Sequence, residues 1–406
     1  MRILTTALMA ALTFAGFAQA APSAKDRAAI ASMETRLTLL EGSRPGSKTK
    51  SLAARMAELN VPGVSVAFVE DGKVKWAQAY GFADASARRP VTRDTLFQAA
   101  SMSKAVAAAG ALVLVDQGRL DLDEDVNTHL DSWKVPHSEF TAEKKVTLRR
   151  LLSHTAGVTV SGFPGYRVGK PVPSTVQILD GTQPSNTPAV RSFEAPGTYA
   201  YSGGGYTVAQ LLMVEASGKA FPELLRDSVL RPVGMRGATF SQPLPDALVP
   251  TSASGHDEKG AVIPGARNTY PEYAAAGLWT TPSDYGRFMI ALQNSQAGRK
   301  GALLKLETAQ AMLTPVDSGY GLGLGLAQWG GHPYFQHGGS NEGFQCNALA
   351  FLDGSRQGVV VMTNGESGGL LAAELVYTIA AAYGWGEQGP RTGSSRRAPF
   401  VASAAK

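Results

Sequence analysis

The alternating apolar runs of this chain lie near its two ends, and this arrangement constrains the fold more than any other feature. Residues 63–69 and 74–80 alternate around the turn Glu70-Asp71-Gly72-Lys73, which predicts a β-hairpin. Toward the other end, further strands are predicted at 347–352 and 358–362, and the middle of the chain is helical and rich in loops. Strands at both ends with helices between them predict an α+β fold: an antiparallel β-sheet flanked by helices, with an inserted helical lobe.

The size of the chain allows one large domain or two closely packed ones. Its 406 residues are 44% hydrophobic, which is ample for a core. We predict a domain at 21–387, with the sheet built from about 61–95 and 316–387 and the helical lobe from about 96–315. Outside the lobe, helical segments are predicted at 23–40, 51–59 and 370–383. A binding site is expected at the junction of lobe and sheet.

The two terminal segments predict an exported protein with a polar tail. Arg2, an apolar stretch over 3–17 and Ala18-Gln19-Ala20 have the pattern of a signal peptide (1–20) cleaved after Ala20. The apolar stretch is too short to span a membrane comfortably, so no integral membrane segment is expected in the mature chain. Residues 388–406 read as a disordered basic tail. The predicted location is the periplasm or the exterior of the cell.

The charge distribution and the spacing of the histidines argue against a nucleic-acid partner and a bound metal. The net charge of +5 is accounted for by Arg2 and the four basic residues of the tail, which leaves residues 21–387 balanced. No basic face is predicted, and therefore no nucleic-acid partner. The six histidines lack metal-ligand spacing, so no metal is expected. The sequence has neither a Walker loop nor a dinucleotide fingerprint, so no cofactor is expected. The single cysteine, Cys346, is interpreted as a buried apolar filler.

Ser101-Met102-Ser103-Lys104 carries the predicted chemistry. It stands where a polar turn meets an apolar helix at 105–117, and residues at i and i+3 share one helical face. A neighbouring amine is one way to activate a serine hydroxyl as a nucleophile. Ser-x-x-Lys also occurs at 47–50 and 403–406, but only the match at Ser101 has a helix to hold it.

Two more motifs follow in order. One is Ala-Pro-Gly-Thr-Tyr-Ala-Tyr-Ser-Gly at 195–203, and the other is His337-Gly338-Gly339. Together with Ser101 and Lys104, this order resembles the serine β-lactamase and penicillin-binding superfamily, and most of all its class C β-lactamase-like branch of β-lactamases, DD-peptidases and esterases. The resemblance runs from about 61 to 385 and includes the stretches 118–124, 151–158 and 275–284.

The resemblance implies a role for each matching residue. Ser101 would be the nucleophile, Lys104 its hydrogen-bonded amine, and Tyr201 the group that moves the proton. The backbone N–H groups of Ser101 and Ser340 would form the oxyanion hole. The implied substrate is a small ester, amide, β-lactam or peptide, and the oligomeric state stays open.

Substrate-binding positions are expected at Gly203 and at His337, Gly338 and Gly339, whose glycines let a strand approach the substrate closely. The chain departs from the family pattern at two of these positions. Tyr201-Ser202-Gly203 stands where β-lactamases have Tyr-x-Asn, and His337 stands where they usually have lysine. Both changes weaken the case for penicillins and D-Ala-D-Ala peptides, and they favour an ester. If His337 titrates near 6.5, acidic substrates should react better below that pH.

Several hypotheses therefore stay open. The first is a serine hydrolase that works through an acyl-enzyme on Ser101. Within this hypothesis, an esterase or amidase of broad specificity ranks first, a true class C-like β-lactamase second and a DD-carboxypeptidase third. A catalytically weak binding or sensor protein of the same fold is the alternative from another class. Gly-Glu-Ser-Gly-Gly at 365–369 matches a nucleophile elbow, but no histidine follows His337 to complete a triad. His154 is predicted to be structural, its ring bonded to backbone.

Overall fold

The structure is a computed structural model that describes residues 21–42 and 44–386. The predicted signal peptide at 1–20 and the predicted tail at 388–406 lie outside the described residues. Among the residues described, no helix is both long and apolar enough to cross a membrane.

An antiparallel sheet forms the centre of the molecule. The strands are β1 (Leu37–Glu41), β2 (Arg44–Lys50), β3 (Gly63–Glu70), β4 (Lys73–Asp84), β5 (Arg89–Pro90), β6 (Phe97–Gln98), β7 (Tyr166–Arg167), β8 (Asn268–Thr269), β9 (Trp279–Thr280), β10 (Gly325–Trp329), β11 (His332–Asn341), β12 (Phe344–Phe351) and β13 (Gly358–Thr363). Within 44–386, the strand order of the central sheet is β10-β11-β12-β13-β3-β4-β5. Strands from both ends of the chain thus meet where β13 pairs with β3.

Helices cover both faces of this sheet. They are α1 (Ala24–Thr35), α2 (Leu52–Glu58), α3 (Ser103–Asp116), α4 (Leu148–Leu152), α5 (Thr175–Asp180), α6 (Gly203–Ser217), α7 (Phe221–Leu225), α8 (Tyr273–Ala276), α9 (Pro282–Gln296), α10 (Leu306–Met312) and α11 (Gly368–Tyr383). The helices α3 to α10 belong to the segment between β5 and β10, which packs as a lobe on one face. The opposite face is covered by α1 and α11.

Strand alternation divides the interior into two hydrophobic cores. In β13, Val360 and Met362 face the lobe, whereas Val359 and Val361 face α11. Side chains on successive strand residues point to opposite faces, so a strand with both faces covered is apolar at every position. On the α11 side, the rings of Phe68 and Tyr383 stack with centroids 3.9 Å apart.

The predicted α+β class, with its antiparallel sheet and flanking helices, is confirmed. The hairpin around Glu70-Asp71-Gly72-Lys73 and the helices predicted at 51–59 and 370–383 are also present. The helix predicted over 23–40 is wrong in its last five residues, because α1 ends at Thr35 and β1 follows. The N–H groups of Thr38 and Leu40 donate to Thr378 and Glu374 of α11, a tertiary contact that periodicity does not reveal.

Candidate active site

Ser101 lies in a short turn of 3₁₀ helix, Ala100–Met102, that leads directly into α3. The residue before it, Ala100, has φ +47°, a left-handed conformation that is costly for alanine. Two contacts hold this turn in place: the Ala99 N–H donates to the Leu278 carbonyl, and the Leu278 N–H donates back to Ser103 Oγ. Ser103 is therefore a buried positioning group for the turn.

Lys104 reaches back to Ser101 from the first turn of α3. Its Nζ lies 3.1 Å from Ser101 Oγ and donates to the Ala275 carbonyl at 2.8 Å. The side chain is 2% exposed, and Nζ lies 5.0 Å from the centroid of the Tyr201 ring. Burial lowers the pKa of Lys104 to about 7, because an ammonium ion loses its hydration there. About half of the Lys104 amine is then uncharged at neutral pH, and an uncharged amine can accept the hydroxyl proton.

Tyr201 completes the cluster around the serine. Ser101 acts on the Tyr201 hydroxyl and lowers its pKa somewhat, but desolvation is the larger effect and raises the pKa of Tyr201 to about 12. At pH 7 only about one Tyr201 in 10⁵ would be ionised. The magnitudes therefore favour Lys104 as the base, with Tyr201 as a neutral phenol that passes a proton on.

The strand β11 brings the His-Gly-Gly motif against the nucleophile turn. Its pairing with β10 ends at Gln336, opposite Gly325, so among the residues described no strand pairs with that side of β11 from His337 to Asn341. A Cβ on Gly339 would lie 2.3 Å from the Ala99 carbonyl, and only glycine permits this approach. Ser340, the next residue, is therefore placed beside the turn that carries Ser101.

His337 does not have the properties expected of a titrating contact. Its Nδ1 donates to the Gly338 carbonyl at 2.6 Å, so Nε2 accepts from the Tyr320 hydroxyl at 2.9 Å. Burial, with the charge of Lys104 nearby, lowers the pKa of His337 to about 4. The structure does not support a cationic contact from His337, since burial favours the neutral ring and both ring nitrogens are occupied. Tyr320 was not identified from the sequence, and it lies in the loop before β10.

Gly203 is the first residue of α6, and its neighbourhood is aromatic. A Cβ at this position would lie 2.7 Å from Cε2 of Phe163. The ring of Phe163 thus takes the room into which a side chain at 203 would extend. Phe163 lies in a loop, and nothing in the sequence pattern identified it.

Other candidate groups are structural. His154 is 1% exposed, and its Nδ1 accepts from the Ser202 N–H at 3.0 Å, which confirms the prediction that its ring bonds backbone. Cys346 is buried, as predicted, with Sγ 3.1 Å from the Ala99 carbonyl, and burial raises the pKa of its thiol. In the part of the chain that the structure describes, no group of His, Cys, Asp and Glu could hold a metal ion.

The fold is that of the serine β-lactamase and penicillin-binding superfamily. A family model described as Beta-lactamase matches residues 49–383, and the chain belongs to that family.

The chain is similar to D-aminopeptidases. It is 27% identical over 331 residues to one from Brucella anthropi (strain ATCC 49188), covering 80% of this chain and 61% of the relative. It is 26% identical over 344 residues to one from Gluconobacter oxydans (strain 621H), covering 82% of this chain and 61% of the relative. The chain thus spans about three fifths of the length of these relatives.

Solved structures show the same fold. An octameric penicillin-binding protein homologue from Pyrococcus abyssi matches with a TM-score of 0.66 at 22% identity, over 82% of this chain and 76% of that one. A penicillin binding protein from Bacillus halodurans matches with a TM-score of 0.63 at 23% identity, over 81% of this chain and 98% of that one.

Proposed function

We propose that this protein is a hydrolase that forms an acyl-enzyme on Ser101. The observation that carries the proposal is the 3.1 Å contact between Ser101 Oγ and the buried Lys104 amine. Uncharged Lys104 takes the hydroxyl proton as Oγ attacks the substrate carbonyl, and the N–H groups of Ser101 and Ser340 stabilise the oxyanion. Tyr201 passes a proton to the leaving group. Water then attacks the acyl ester, giving up its proton along the same path, and the acid product leaves.

We further propose that the substrate is an ester or amide whose binding does not depend on a carboxylate. Neutral His337 has no free ring N–H to offer an anion, and the Phe163 ring and the Ser161 carbonyl beside Gly203 carry no positive charge. The similarity to D-aminopeptidases supports an acyl group of D-amino-acid type. A true β-lactamase or DD-carboxypeptidase is placed below this proposal, since the positions at 203 and 337 lack the asparagine and lysine of those enzymes.

The test is a substrate panel on the purified mature chain. D-alanine p-nitroanilide is compared with its L-isomer, with p-nitrophenyl butyrate and with a chromogenic cephalosporin, and Ser101→Ala is the control. We expect turnover of the ester and of the D-anilide, and a loss of at least about 10³-fold in Ser101→Ala. Wild-type activity in Ser101→Ala would overturn the mechanism. Cephalosporin turnover alone would restore the β-lactamase hypothesis, and acylation without turnover would indicate a sensor.

We also propose that the protein acts in the periplasm or outside the cell. The support is the signal-peptide pattern at 1–20. Amino-terminal sequencing of protein recovered from the periplasmic fraction should begin at Ala21. Recovery of the uncleaved chain from the cytoplasm alone would contradict this.

A further inference from the structure

His154 makes hydrogen bonds to both chain neighbours of Tyr201. Its carbonyl accepts from the Ala200 N–H at 2.7 Å, and its ring Nδ1 accepts from the Ser202 N–H at 3.0 Å. The backbone of His154 is left-handed, with φ +58°, a conformation that histidine and asparagine adopt more readily than most residues. One residue therefore holds the chain on either side of the tyrosine.

The His154 ring also contacts Tyr201 directly. The two ring centroids are 4.2 Å apart, and the rings of Tyr320 and Tyr206 lie 4.9 and 5.2 Å from the His154 centroid. Because Nδ1 accepts a hydrogen bond, the ring proton is on Nε2. Burial, Lys104 and His337 all lower the pKa of His154 well below its usual value. A neutral ring whose acceptor nitrogen is already occupied cannot serve as the base.

The far side of the same segment is held by α6. Ser202 is the N-cap of this helix, with Oγ accepting from the Gly205 N–H at 2.9 Å and donating to the Thr159 carbonyl at 2.8 Å. Without the Nδ1 acceptor, the buried Ser202 N–H would be unpaired. The chain would relieve this by shifting Ser202, and Tyr201 with it. A displacement of about 1 Å at a reacting group can cost about 10²-fold in rate.

We propose that His154 is a positioning residue that holds the Tyr201 hydroxyl against Ser101 through its bonds to Ala200 and Ser202 and its ring contact. The inference rests on the proposed function, because it acts through Tyr201.

Two substitutions separate the acceptor from the bulk of the ring. In His154→Asn, Oδ1 can stand near the position of Nδ1, and asparagine tolerates the left-handed backbone. In His154→Phe, a ring remains but the acceptor is lost. Both variants, Tyr201→Phe and the double variant His154→Phe/Tyr201→Phe are assayed for kcat and KM on p-nitrophenyl butyrate. If His154→Phe does not fold, as judged by circular dichroism, His154→Ala replaces it in both the single and the double variant.

We expect kcat to fall by about 10²-fold in His154→Phe with little change in KM, and to return to within about tenfold of wild type in His154→Asn. We expect the double variant to be no slower than Tyr201→Phe alone, because residues that act as a unit are not additive. Wild-type kcat in His154→Phe, equal losses in the phenylalanine and asparagine variants, or multiplied losses in the double variant would each overturn the proposal. If the proposed function itself is wrong, the result is different: Ser101→Ala remains active.

Discussion

At the scale of single residues, one pocket shifts the pKa values of Lys104 and Tyr201 in the directions that favour their uncharged forms. Desolvation lowers the pKa of Lys104 to about 7 and raises the pKa of Tyr201 to about 12. The Lys104 amine hydrogen-bonds the Ser101 hydroxyl, and the Tyr201 phenol interacts with the same hydroxyl. Activation of the serine then requires that one proton move from the Ser101 hydroxyl to the uncharged form of Lys104.

The pH dependence of catalysis should follow Lys104. We expect kcat/KM on p-nitrophenyl butyrate to rise about tenfold per pH unit below 7 and to level off near 8, as the amine loses its proton. Rates from pH 5 to 9, corrected for spontaneous hydrolysis, measure this. Tyr201→Phe should lower the plateau and keep the midpoint. A midpoint near 4 would assign the titration to His337 instead.

Lys104 should also cost the protein stability. Its pKa is about 7 in the folded state and 10.5 in the reference state, so the cost is fully present below pH 7 and disappears as the pH rises toward 10.5. Lys104→Met should be inactive, yet more stable by on the order of 3 to 5 kcal/mol at pH 6, less the lost bond to Ala275. Urea unfolding at pH 6 and pH 9 should show a smaller advantage at pH 9. An equal advantage at both would contradict this origin.

The sequence predicted these residues to different extents, for physical reasons. Ser101 and Lys104 could be paired because helical spacing alone brings them together. Tyr320 and Phe163 could not be found, since loops whose course depends on tertiary packing carry them to the site. That His337 is neutral could not be predicted from the sequence either. Its low pKa results from burial, and the sequence motif does not show whether the ring is buried.

At the scale of elements, the site depends on how closely β11 approaches the turn before α3. The strand β12 lies behind this contact, and Cys346 Sγ is 3.1 Å from the Ala99 carbonyl. Glycine at 339 leaves no side chain between strand and turn. The oxyanion hole proposed above therefore depends on the absence of one side chain.

Gly339→Ala should test this close approach. The new Cβ would lie 2.3 Å from the Ala99 carbonyl and 2.6 Å from Cys346 Sγ, so the strand and the turn must separate. We expect kcat/KM to fall by about 10²-fold and the free energy of unfolding to drop by about 1–3 kcal/mol. The matched stability control is Gly338→Ala, whose Cβ would be 3.6 Å from the nearest atom. Equal unfolding free energies for both variants would contradict the argument.

In the N-terminal elements, tertiary contacts with α11 override the secondary structure that the local sequence pattern predicts. Ser23 and Asp26 form a capping box that starts α1, and this signal is readable in the sequence. The residues after Thr35 could continue a helix, but contacts with α11 draw them into β1. Intrinsic propensity is a weak preference that such contacts override.

At the scale of the whole molecule, a buried ion pair joins the N-terminal elements to α11. Arg55 of α2 donates to both carboxylate oxygens of Glu374, each at 2.8 Å, and Glu374 is fully buried. This contact lies on the face of the sheet opposite the lobe. It therefore contributes to stability without touching the candidate active site.

Breaking this pair should destabilise the whole domain. Arg55→Ala leaves a buried carboxylate without its partner and should lower the free energy of unfolding by about 3–5 kcal/mol. Arg55→Met/Glu374→Leu should recover most of that loss. Lys219→Ala, which breaks an exposed pair with Asp227, should cost at most about 1 kcal/mol. Urea unfolding measures all three, and a similar cost for Arg55→Ala and Lys219→Ala would contradict the role of burial.

The pairing of β3 with β13 has a consequence for the order of folding. Val66 lies opposite Val361, so the middle of the sheet joins two segments far apart in the chain. During synthesis, β3 and β4 can form their hairpin early, but the hairpin keeps one open edge until β13 is made. Because such long-range closure is slow, an exposed apolar edge persists while the lobe assembles. The synthesis of β13 thus sets when the strands from the two ends of the chain can join into one sheet.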